Sequence, residues 1–436
     1  MPETGATHDT VVDLDGLEVH YELGGSTFSR LFGVGTKTVK AVDGVTLGLR
    51  KGEVLGVVGE SGSGKTTLGR AMLGLAPSTG GSITYHGSRG ARLVSGMRGK
   101  ELRDLRTDIQ MVFQDPHAAL NPAMDIETAV GHPLLVHGIA KGPELHEKVV
   151  EVLEKVGLTP AERYLSKYPS DLSGGQKQRA VIARAIILDP DVLVADEPVS
   201  ALDMSVRSKI LELMLDLKSD LGLTYVYITH DLATAKFFCD RIAIMYLGRV
   251  VEIGDTAEIF ADPKHPYTKA LLKAIPEPDP ERSIARELPR GEIPDAALPP
   301  LGCSFHPRCP EATPTCGWES RDLRALLELH WTRQPAETYE REQGLIGDLE
   351  HLDSPSTVAT VGTTGADDAR SLLTQMREED PDEPLWGGVD SIEDAGRGVE
   401  VRFHEGVDPA LRRAGGVEVA CVLYPEDEDS GESAEG

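Results

Sequence analysis

The stretch GESGSGKT, at residues 59–66, sets three glycines ahead of a lysine and a threonine, between an apolar run and a helix-forming run. It fits the pattern G-x-x-x-x-G-K-[ST], in which glycines allow successive backbone N–H groups to point into one concavity. Since the start of a helix adds a partial positive charge, a loop of this kind holds phosphate groups. The flanking runs EVLGVV and TTLGRAMLGL supply the strand and the helix that the pattern needs. We therefore expect an α/β domain that binds a nucleotide.

Two side chains of this loop are expected to act on the phosphates directly. Lys65 reaches the β- and γ-phosphates, and the hydroxyl of Thr66 ligates Mg²⁺. The residues expected to surround the nucleotide here are Gly59, Glu60, Ser61, Gly62, Ser63, Gly64, Lys65, Thr66 and Thr67.

Two more apolar runs, DVLVADEP at residues 191–198 and TYVYITHD at residues 224–231, predict buried strands that are each followed by a helix. Buried apolar strands that alternate with helices indicate a largely parallel sheet. At the end of the first run, Asp196 is placed to hold Mg²⁺. Glu197, next to it, is placed to polarise an attacking water as general base. This pair predicts that the bound nucleotide is hydrolysed.

The net charge of the chain limits the kinds of partner that it can bind. Its 436 residues include 71 acidic and 44 basic side chains, for a formal net charge of −27. General nucleic-acid binding needs a basic face, which this composition argues against. Such acidity is typical of a protein kept soluble in molar salt, because solvated carboxylates keep molecules apart. An ordinary acidic protein with an acidic tail is the alternative.

The sequence gives no sign of export or of membrane insertion. No run approaches the ~18 apolar residues of a membrane span. The opening MPETGATHDT has neither the basic nor the apolar part of a secretory signal. Five cysteines in a chain of this length do not suggest a disulfide scaffold. We therefore expect a protein of the reducing cytosol.

The N-terminal part of the chain has regular secondary-structure patterns, whereas the C-terminal part is irregular. Strand and helix patterns alternate up to about residue 274, with a mainly helical part at about 115–180. Residues 275–320 begin with the proline-rich linker IPEPDPERS and continue into a cysteine-bearing segment. Residues 321–415 are a polar insertion with weak periodicity. Residues 416–436 return to an apolar stretch and end in the acidic tail PEDEDSGESAEG, which is expected to be disordered.

Six motifs follow one another along the chain: the phosphate loop, Gln114 after a short apolar run, LSGGQ at 172–176, Asp196-Glu197, SALD at 200–203 and His230. This order resembles that of the nucleotide-binding subunits of the ABC transporter family, over about residues 10–275. The resemblance implies a P-loop NTPase fold with a helical subdomain, a small C-terminal cysteine-containing domain, and hydrolysis of ATP with Mg²⁺.

The resemblance also implies roles for single residues. Gln114 contacts Mg²⁺ or the attacking water, His230 contacts the γ-phosphate, and Asp203 acts across a dimer interface. The family stacks an aromatic ring on adenine. The candidates for that ring here are Tyr21, Phe28 and Phe32.

A second loop with phosphate-binding character is explained in the same way. LSGGQ repeats the design of small residues at a helix start. The resemblance implies that two subunits pair head to tail, so that this loop closes over the γ-phosphate held by the partner's phosphate loop. ATP then holds the dimer together and hydrolysis releases it. The residues implied in this contact are Ser173, Gly174, Gly175 and Gln176.

A finer resemblance points to the oligopeptide/dipeptide importer branch, which includes nickel importers. The runs that carry it include VKAVDGVTL, MVFQDPHAALNPAMDI, HPYTKALL and CSFHPRCPEATPTC, of which the last two lie outside the ATPase core. In this branch two ATPase subunits, often non-identical, lie under two membrane permeases. The run DPHAALNPAMDIETAV after Gln114 is implied to meet a permease, and His117 in it takes a place where the branch often has an aromatic residue.

Four cysteines in the second half form a candidate metal site: Cys303, Cys309, Cys316 and Cys421. Members of the branch hold a [4Fe–4S] cluster on four such cysteines, which implies one here. A structural zinc ion and reduced or disulfide-linked thiols are the alternatives. Because the region has few large apolar residues, we expect it to need such a staple to stay compact. Cys239, in FFCDRI, is expected to be a buried core residue.

These features predict an ATP-hydrolysing subunit that energises an importer of di- or oligopeptides or a related small solute, at the cytoplasmic face of the cell membrane. The expected partners are a second ATPase subunit, identical or paralogous, two permeases and an external solute-binding protein, without nucleic acid. An importer of nickel or another solute is one alternative. A non-transport ABC ATPase acting on DNA or ribosomes is another, although such relatives carry long insertions before LSGGQ or two phosphate loops.

Overall fold

The computed structural model describes residues 10–23, 37–88, 90–275, 291–363 and 365–424. These residues form two compact units. The first comprises the described residues of Met1–Glu22 and Lys40–Ala261, and the second those of Leu23–Val39 and Asp262–Gly436. The expected linker beyond Ile275 and the acidic tail lie outside the described residues. Within the described part of the chain, no helix is long and apolar enough to cross a membrane.

The first part of the chain alternates strands and helices. Its strands are β1 (Thr10–Leu23), β2 (Lys37–Arg50), β3 (Val54–Val58), β4 (Gly80–Gly87), β5 (Gly90–Leu93), β6 (Ile109–Val112), β7 (Val192–Asp196), β8 (Thr224–Thr229), β9 (Arg241–Tyr246) and β10 (Arg249–Asp255). Its helices are α1 (Lys65–Met72), α2 (Gly99–Asp108), α3 (Pro116–Ala119), α4 (Ile126–Val136), α5 (Pro143–Lys155), α6 (Glu162–Leu165), α7 (Gly174–Ile186), α8 (Met204–Leu221), α9 (Leu232–Phe238) and α10 (Thr256–Ala261).

Six strands of the first unit form a sheet in the order β10-β9-β3-β8-β7-β6, parallel except for β10. The strands β3, β7 and β8 are buried at every position, as continuous apolar runs require in a sheet covered on both faces. Val58 lies opposite Thr229, and Asp196 lies opposite Ile228. The C-terminal ends of these three strands therefore meet at one edge of the sheet. The predicted parallel α/β sheet is confirmed.

Two other layers complete the first unit. A second sheet has the order β2-β1-β4-β5, in which β4 is antiparallel to both β1 and β5. Between β6 and β7, the chain forms the helices α3 to α7, and α7 packs against α3, α4 and α5. Cys239 lies behind β3 and is buried, as expected, with its Sγ close to where a side chain at Gly56 would be.

The second unit has its own helices and strands. They are α11 (Pro266–Lys273), α12 (Ser320–Thr332), α13 (Ala336–Ile346), β11 (Val358–Val361), α14 (Ala366–Glu379), α15 (Leu385–Gly388), β12 (Val389–Ala395), β13 (Gly398–Phe403), β14 (Arg412–Ala414) and β15 (Val417–Val419). Strands β11, β13 and β12 form an antiparallel sheet in that order, and β14 pairs with β15 in a hairpin.

The region of the four cysteines was expected to have too few large apolar residues to stay compact by itself, and residues 321–415 within it contradict this. Their helices and sheet share a hydrophobic cluster. On α12, Leu323, Leu327 and Trp331 lie four residues apart and so occupy one helical face. Further members of the cluster are Trp318, Ile346, Leu352, Val361, Leu373, Met376, Trp386, Val399, Val401 and Phe403. The second unit is therefore stabilised by apolar burial.

Replacing Leu327 with alanine tests this cluster. Leu327 is fully buried, so the cavity left behind should lower the free energy of unfolding of the second unit by about 2–5 kcal/mol. Leu329→Ala on the same helix is the matched control, because that side chain is 48% exposed and should change the free energy by less than about 0.5 kcal/mol. All three tryptophans of the chain belong to the cluster, so tryptophan fluorescence during urea unfolding reports this unit. Equal midpoints for the two variants would contradict the cluster.

Candidate functional site

The phosphate loop joins the end of β3 to α1 through glycines that no other residue could replace without a backbone shift. Gly62 and Gly64 have φ angles of 81° and 100°, in the left-handed region. A Cβ at Gly64 would lie 2.0 Å from the carbonyl oxygen of Ala41. A Cβ at Gly59 would lie 2.2 Å from that of Met245. The loop is thus packed against backbone on two sides.

Lys65 lies inside this loop. Its Nζ donates to the carbonyl oxygens of Gly59, at 2.8 Å, and Glu60, at 2.7 Å, and lies 3.3 Å from Ser63 Oγ. Burial lowers the pKa of the Lys65 ammonium, and the nearby carboxylate of Glu197 acts in the opposite direction. The loop's own carbonyl groups therefore hold the cation at the concavity where a phosphate is expected.

Asp196, at the end of β7, pairs with the hydroxyl of the phosphate loop. Thr66 Oγ1 donates to Asp196 Oδ1 at 3.1 Å. Burial raises the pKa of the Asp196 carboxyl, although the bond from Thr66 lowers it. Carboxylate and hydroxyl oxygens are the hard ligands that Mg²⁺ prefers. The donor set at this point therefore fits Mg²⁺.

Glu197 connects the other two predicted catalytic residues. Gln114 Nε2 donates to its Oε2 at 2.9 Å, and His230 Nδ1 lies 2.9 Å from its Oε1. Because an ionised carboxylate only accepts hydrogen bonds, His230 carries a proton on Nδ1. The three side chains, which come from three separate strand ends, thus form one hydrogen-bonded group.

The backbone of Glu197 is held in a costly conformation. Its φ angle is 45°, in the left-handed region that residues other than glycine rarely adopt. The N–H of Glu197 donates to the carbonyl oxygen of Ile228 at 2.9 Å, and Ser200 Oγ donates to the carbonyl oxygen of Glu197 at 3.1 Å. Strain of this kind persists where the surroundings fix it, and it is concentrated at active sites. Sequence reasoning did not single out Ser200, although the SALD motif contains it.

The residues predicted for the second loop lie together at the start of α7. Ser173 Oγ accepts from the N–H of Gln176 at 3.4 Å, and Gln176 Oε1 accepts from the N–H of Ser173 at 3.0 Å, which makes a capping box. Gly175 leaves no room for a side chain, because a Cβ there would lie 2.8 Å from Val206. A cavity of 300 Å³ is lined by Ser173, Gly174, Gly175, Gln176 and Asp203, among others.

A charged network beside the phosphate loop was not predicted. Asp43 accepts from Arg249 Nε at 3.1 Å and Nη2 at 3.0 Å, and its Oδ1 lies 3.1 Å from His20 Nε2. Although burial would raise the pKa of the Asp43 carboxyl, Arg249 holds it below its usual value. The N–H of Asp43 donates to Gly248, whose N–H donates to the carbonyl oxygen of Ser63. These partners are far apart in the sequence, so no local pattern reveals them.

The predicted aromatic platform for adenine is only partly described. Tyr21 lies near the C-terminal end of β1 and is 42% exposed. Phe28 and Phe32 lie outside the described residues.

The four candidate cysteines lie in the second unit, and none is in a disulfide. Burial raises the pKa of the Cys303 and Cys309 thiols to about 12, and it also raises that of Cys421. Every pair among these three and Cys316 interacts electrostatically. The N–H of Cys303 donates to the carbonyl oxygen of Cys316 at 2.9 Å, and the N–H of Thr313 donates to Cys316 Sγ at 3.2 Å. The four thiols therefore face one region.

The thiols do not close around a single point. Among the described residues, no group of three or more His, Cys, Asp or Glu side chains is arranged to hold a metal ion.

The phosphate loop, the oxygens that fit Mg²⁺ and the carboxylate with its two polar partners are the arrangement of a nucleoside triphosphatase of the P-loop class. Residues 42–200 match the family described as ABC transporter, and residues 251–316 match the C-terminal region of oligopeptide/dipeptide transporters.

Curated proteins agree with both matches. The chain is 44% identical to the oligopeptide transport ATP-binding protein OppF of Salmonella typhimurium over 321 residues, which cover 73% of this chain and 92% of that protein. It is 42% identical to the oligopeptide transport ATP-binding protein AppF of Bacillus subtilis over 331 residues, 75% of this chain and 98% of that protein. It is 45% identical to the OppF protein of Escherichia coli over 309 residues, 70% of this chain and 90% of that protein.

The chain therefore belongs to the ATP-binding subunits of ABC transporters, in their oligopeptide/dipeptide branch. As a member of this family it is an ATPase that works as a dimer with membrane permeases. The match to the branch's C-terminal region ends at residue 316, before α12 begins.

Glu197→Gln tests the hydrogen-bonded group at the strand ends. Glutamine keeps the size of the side chain but cannot take a proton from water, so turnover should fall by about 10²-fold or more, the usual worth of general-base catalysis. ATP binding, measured with a fluorescent nucleotide, should survive, whereas Lys65→Ala should abolish it. Near-normal hydrolysis by Glu197→Gln in the purified complex would exclude Glu197 as the base.

Proposed function

We propose that this chain hydrolyses ATP to energise the import of di- or oligopeptides. The observation that carries the proposal is the position of Glu197, whose carboxylate accepts from Gln114 and contacts His230 while the adjacent Asp196 accepts from Thr66. Peptides are favoured over other solutes because the relatives are named for oligopeptide transport and because residues 251–316 match their C-terminal region.

The geometry supports a division of labour among these side chains. Lys65 exchanges the carbonyl oxygens of its loop for the β- and γ-phosphates, and the N–H groups of residues 59–67 surround them. Mg²⁺, held by Thr66, Asp196 and Gln114, would neutralise charge on the phosphates. We expect these contacts to hold the γ-phosphate near Glu197.

Hydrolysis then needs a general base and a side chain that contacts the γ-phosphate. Glu197 takes a proton from the attacking water, which Gln114 helps to orient. His230 donates Nδ1–H to Glu197, which leaves Nε2 to face the γ-phosphate. Because phosphate oxygens only accept, His230 would carry a proton on Nε2 as well when it makes this contact.

The LSGGQ loop completes the site of a second subunit in this proposal. Ser173 to Gln176 and Asp203 line one cavity, which gives a surface on which a partner's nucleotide is held. The N–H groups of Gly174 and Gly175 lie in the first turn of α7, where an intrahelical partner is missing and an anion is favoured.

Mixing two inactive subunits tests action across the dimer. Lys65→Ala destroys a subunit's own phosphate loop, and Ser173→Arg destroys its LSGGQ loop. If the loop acts in trans, one of the two composite sites in the mixed dimer is intact and hydrolysis should return. If it acts within its own chain, mixing restores nothing. Where the natural partner is a paralogue, one change is placed in each protein.

The remaining partners follow from the same proposal. Two permeases would hold the subunit at the cytoplasmic face of the membrane, and an external solute-binding protein would deliver the peptide. Co-purification distinguishes a transporter subunit from a non-transport ATPase. Permeases that co-purify with the chain would support the proposal, whereas ribosomes or DNA would refute it. Adaptation to high salt, suggested by the charge of −27, stays a prediction.

We also propose that the four cysteines bind one [4Fe–4S] cluster. Their number and their mutual electrostatic interaction support a four-thiolate site. A cluster is favoured over zinc because the cysteines lack the C-x₂-C pair that is usual in structural zinc sites. When bound, it would serve as a structural crosslink of this segment.

Cys421→Ser tests the cluster. Anaerobically purified protein should be brown and contain iron and sulfide, and the substitution should remove both while ATP binding survives. Cys239→Ser is the matched control, since that buried thiol lies in the first unit and should leave the iron in place. Colourless protein with one zinc per chain would replace the cluster with zinc, and colourless metal-free protein would refute a metal site.

A further inference from the structure

The turn that joins β9 to β10 lies beside the phosphate loop and has a strained backbone. It consists of Leu247 and Gly248, since Tyr246 pairs with Arg249 across it. Both residues have positive φ angles, 43° and 81°, as a hairpin turn of type I′ requires. Leu247 is buried, and a bulky side chain rarely adopts this region. Such a conformation persists only where the surrounding structure holds it.

Backbone contacts connect this turn to the phosphate loop on one side and to β2 on the other. The N–H of Gly248 donates to the carbonyl oxygen of Ser63 at 3.0 Å, and the N–H of Asp43 donates to the carbonyl oxygen of Gly248 at 2.9 Å. The contact with β2 is close, because a Cβ at Gly248 would lie 2.6 Å from the carbonyl oxygen of Lys40. The turn therefore lies between the phosphate loop and β2 and is bonded to both.

An ion pair holds the same segments together through side chains. Arg249, the first residue of β10, donates through Nε and Nη2 to one carboxylate oxygen of Asp43, at 3.1 and 3.0 Å. The other oxygen lies 3.1 Å from His20 Nε2, and Lys40 Nζ lies 3.5 Å from the carboxylate. Because the Asp43 side chain is only 11% exposed, water and salt screen these bonds less than those of a surface ion pair.

We propose that Asp43 and Arg249 are positioning residues for ATP binding. Asp43 bonds to Gly248 through its backbone and to the next residue, Arg249, through its carboxylate. The ion pair thus holds the turn in the place from which Gly248 fixes the phosphate loop at Ser63. The inference rests on the proposed binding of ATP by that loop.

A loop held in this way acts on binding and not on the chemical step. The loop contacts the same phosphates before and during hydrolysis, so a loss of its order weakens the binding of ATP and of the transition state alike. Loss of the ion pair should therefore raise KM for ATP and leave kcat unchanged. Loss of the proposed base, Glu197, should instead lower kcat.

Asp43→Asn tests the ion pair, because it keeps the shape of the side chain and removes its charge. In the full-length subunit within its transporter, KM for ATP should rise about tenfold, which corresponds to about 1.4 kcal/mol, while kcat stays within about twofold of the wild type. Arg249→Gln should have the same effect. The double variant should be no worse than either single variant, because each single change already breaks the pair.

Arg241→Gln is the matched control. Arg241 donates to Glu53 at 3.1 Å, and this pair joins the N-terminal end of β9 to the residue before β3, at the far ends of the two strands that lead to the turn and to the phosphate loop. Its side chains are 14% and 8% exposed, so the pair is buried at least as well as that of Asp43 and Arg249. Breaking it should lower the melting temperature and leave KM for ATP at the wild-type value.

Three outcomes would overturn the inference: a wild-type KM in Asp43→Asn, a KM in the double variant near the product of the two single effects, or an equal rise of KM in Arg241→Gln. Should Asp43→Asn fail to fold, Arg249→Lys gives the same test. It keeps the charge but loses the two-donor contact, so its KM should lie between those of the wild type and Arg249→Gln. A wild-type chain that binds no fluorescent ATP would refute the proposed function instead.

Discussion

The parallel register of β3, β7 and β8 is the constraint on which the whole nucleotide site depends. With Val58 opposite Thr229 and Asp196 opposite Ile228, three chain segments leave the sheet at the same edge. Open parallel sheets bind ligands at the carboxyl ends of their strands for this reason. A shift of one residue in either pairing would also turn the alternating side chains to the opposite face and separate Lys65 from Glu197.

This edge contains groups that are costly to bury, and they stabilise one another. The Lys65 ammonium is held by two carbonyl oxygens, the Asp196 carboxyl by Thr66, and the Glu197 carboxylate by Gln114 and His230. Each of these bonds orients a side chain before a nucleotide arrives. The strained backbone of Glu197 is fixed by Ile228 and Ser200, so in the proposed mechanism its carboxylate needs little rearrangement at the moment of reaction.

Local sequence patterns were sufficient to predict the residues at the strand ends, but they did not predict the contacts that join those residues. Lys65 and Glu197 follow from a motif and an apolar run, whereas His230 became a candidate only through the order of motifs along the chain. Its contact with Glu197 was not predicted. The network of Asp43 with Arg249 joins distant segments, so a single sequence carries no sign of it. The spacing of Leu323, Leu327 and Trp331 was visible in RDLRALLELHWT, but the high charge of the surrounding residues hid it.

Because the second unit has its own hydrophobic cluster, its stability does not depend on the cysteines alone. Trp318, two residues after Cys316, belongs to that cluster and donates through Nε1 to the carbonyl oxygen of Thr313 at 2.9 Å. The N–H of Val407 donates to the carbonyl oxygen of Thr315 at 2.8 Å, which brings the end of the insertion back beside the cysteines. Apolar packing and backbone bonds therefore help to hold the segment that carries the thiols.

A group bound by these thiols would add its free energy to a unit that apolar burial also stabilises, whereas the metal of a small zinc domain supplies much of that domain's folding free energy. Burial raises the pKa of the Cys303 and Cys309 thiols to about 12, so both are protonated at neutral pH in the folded chain. Because a metal takes thiolates, binding must release these protons. The affinity of the site for a metal should therefore rise with pH, while the hydrophobic cluster stays folded over the same range.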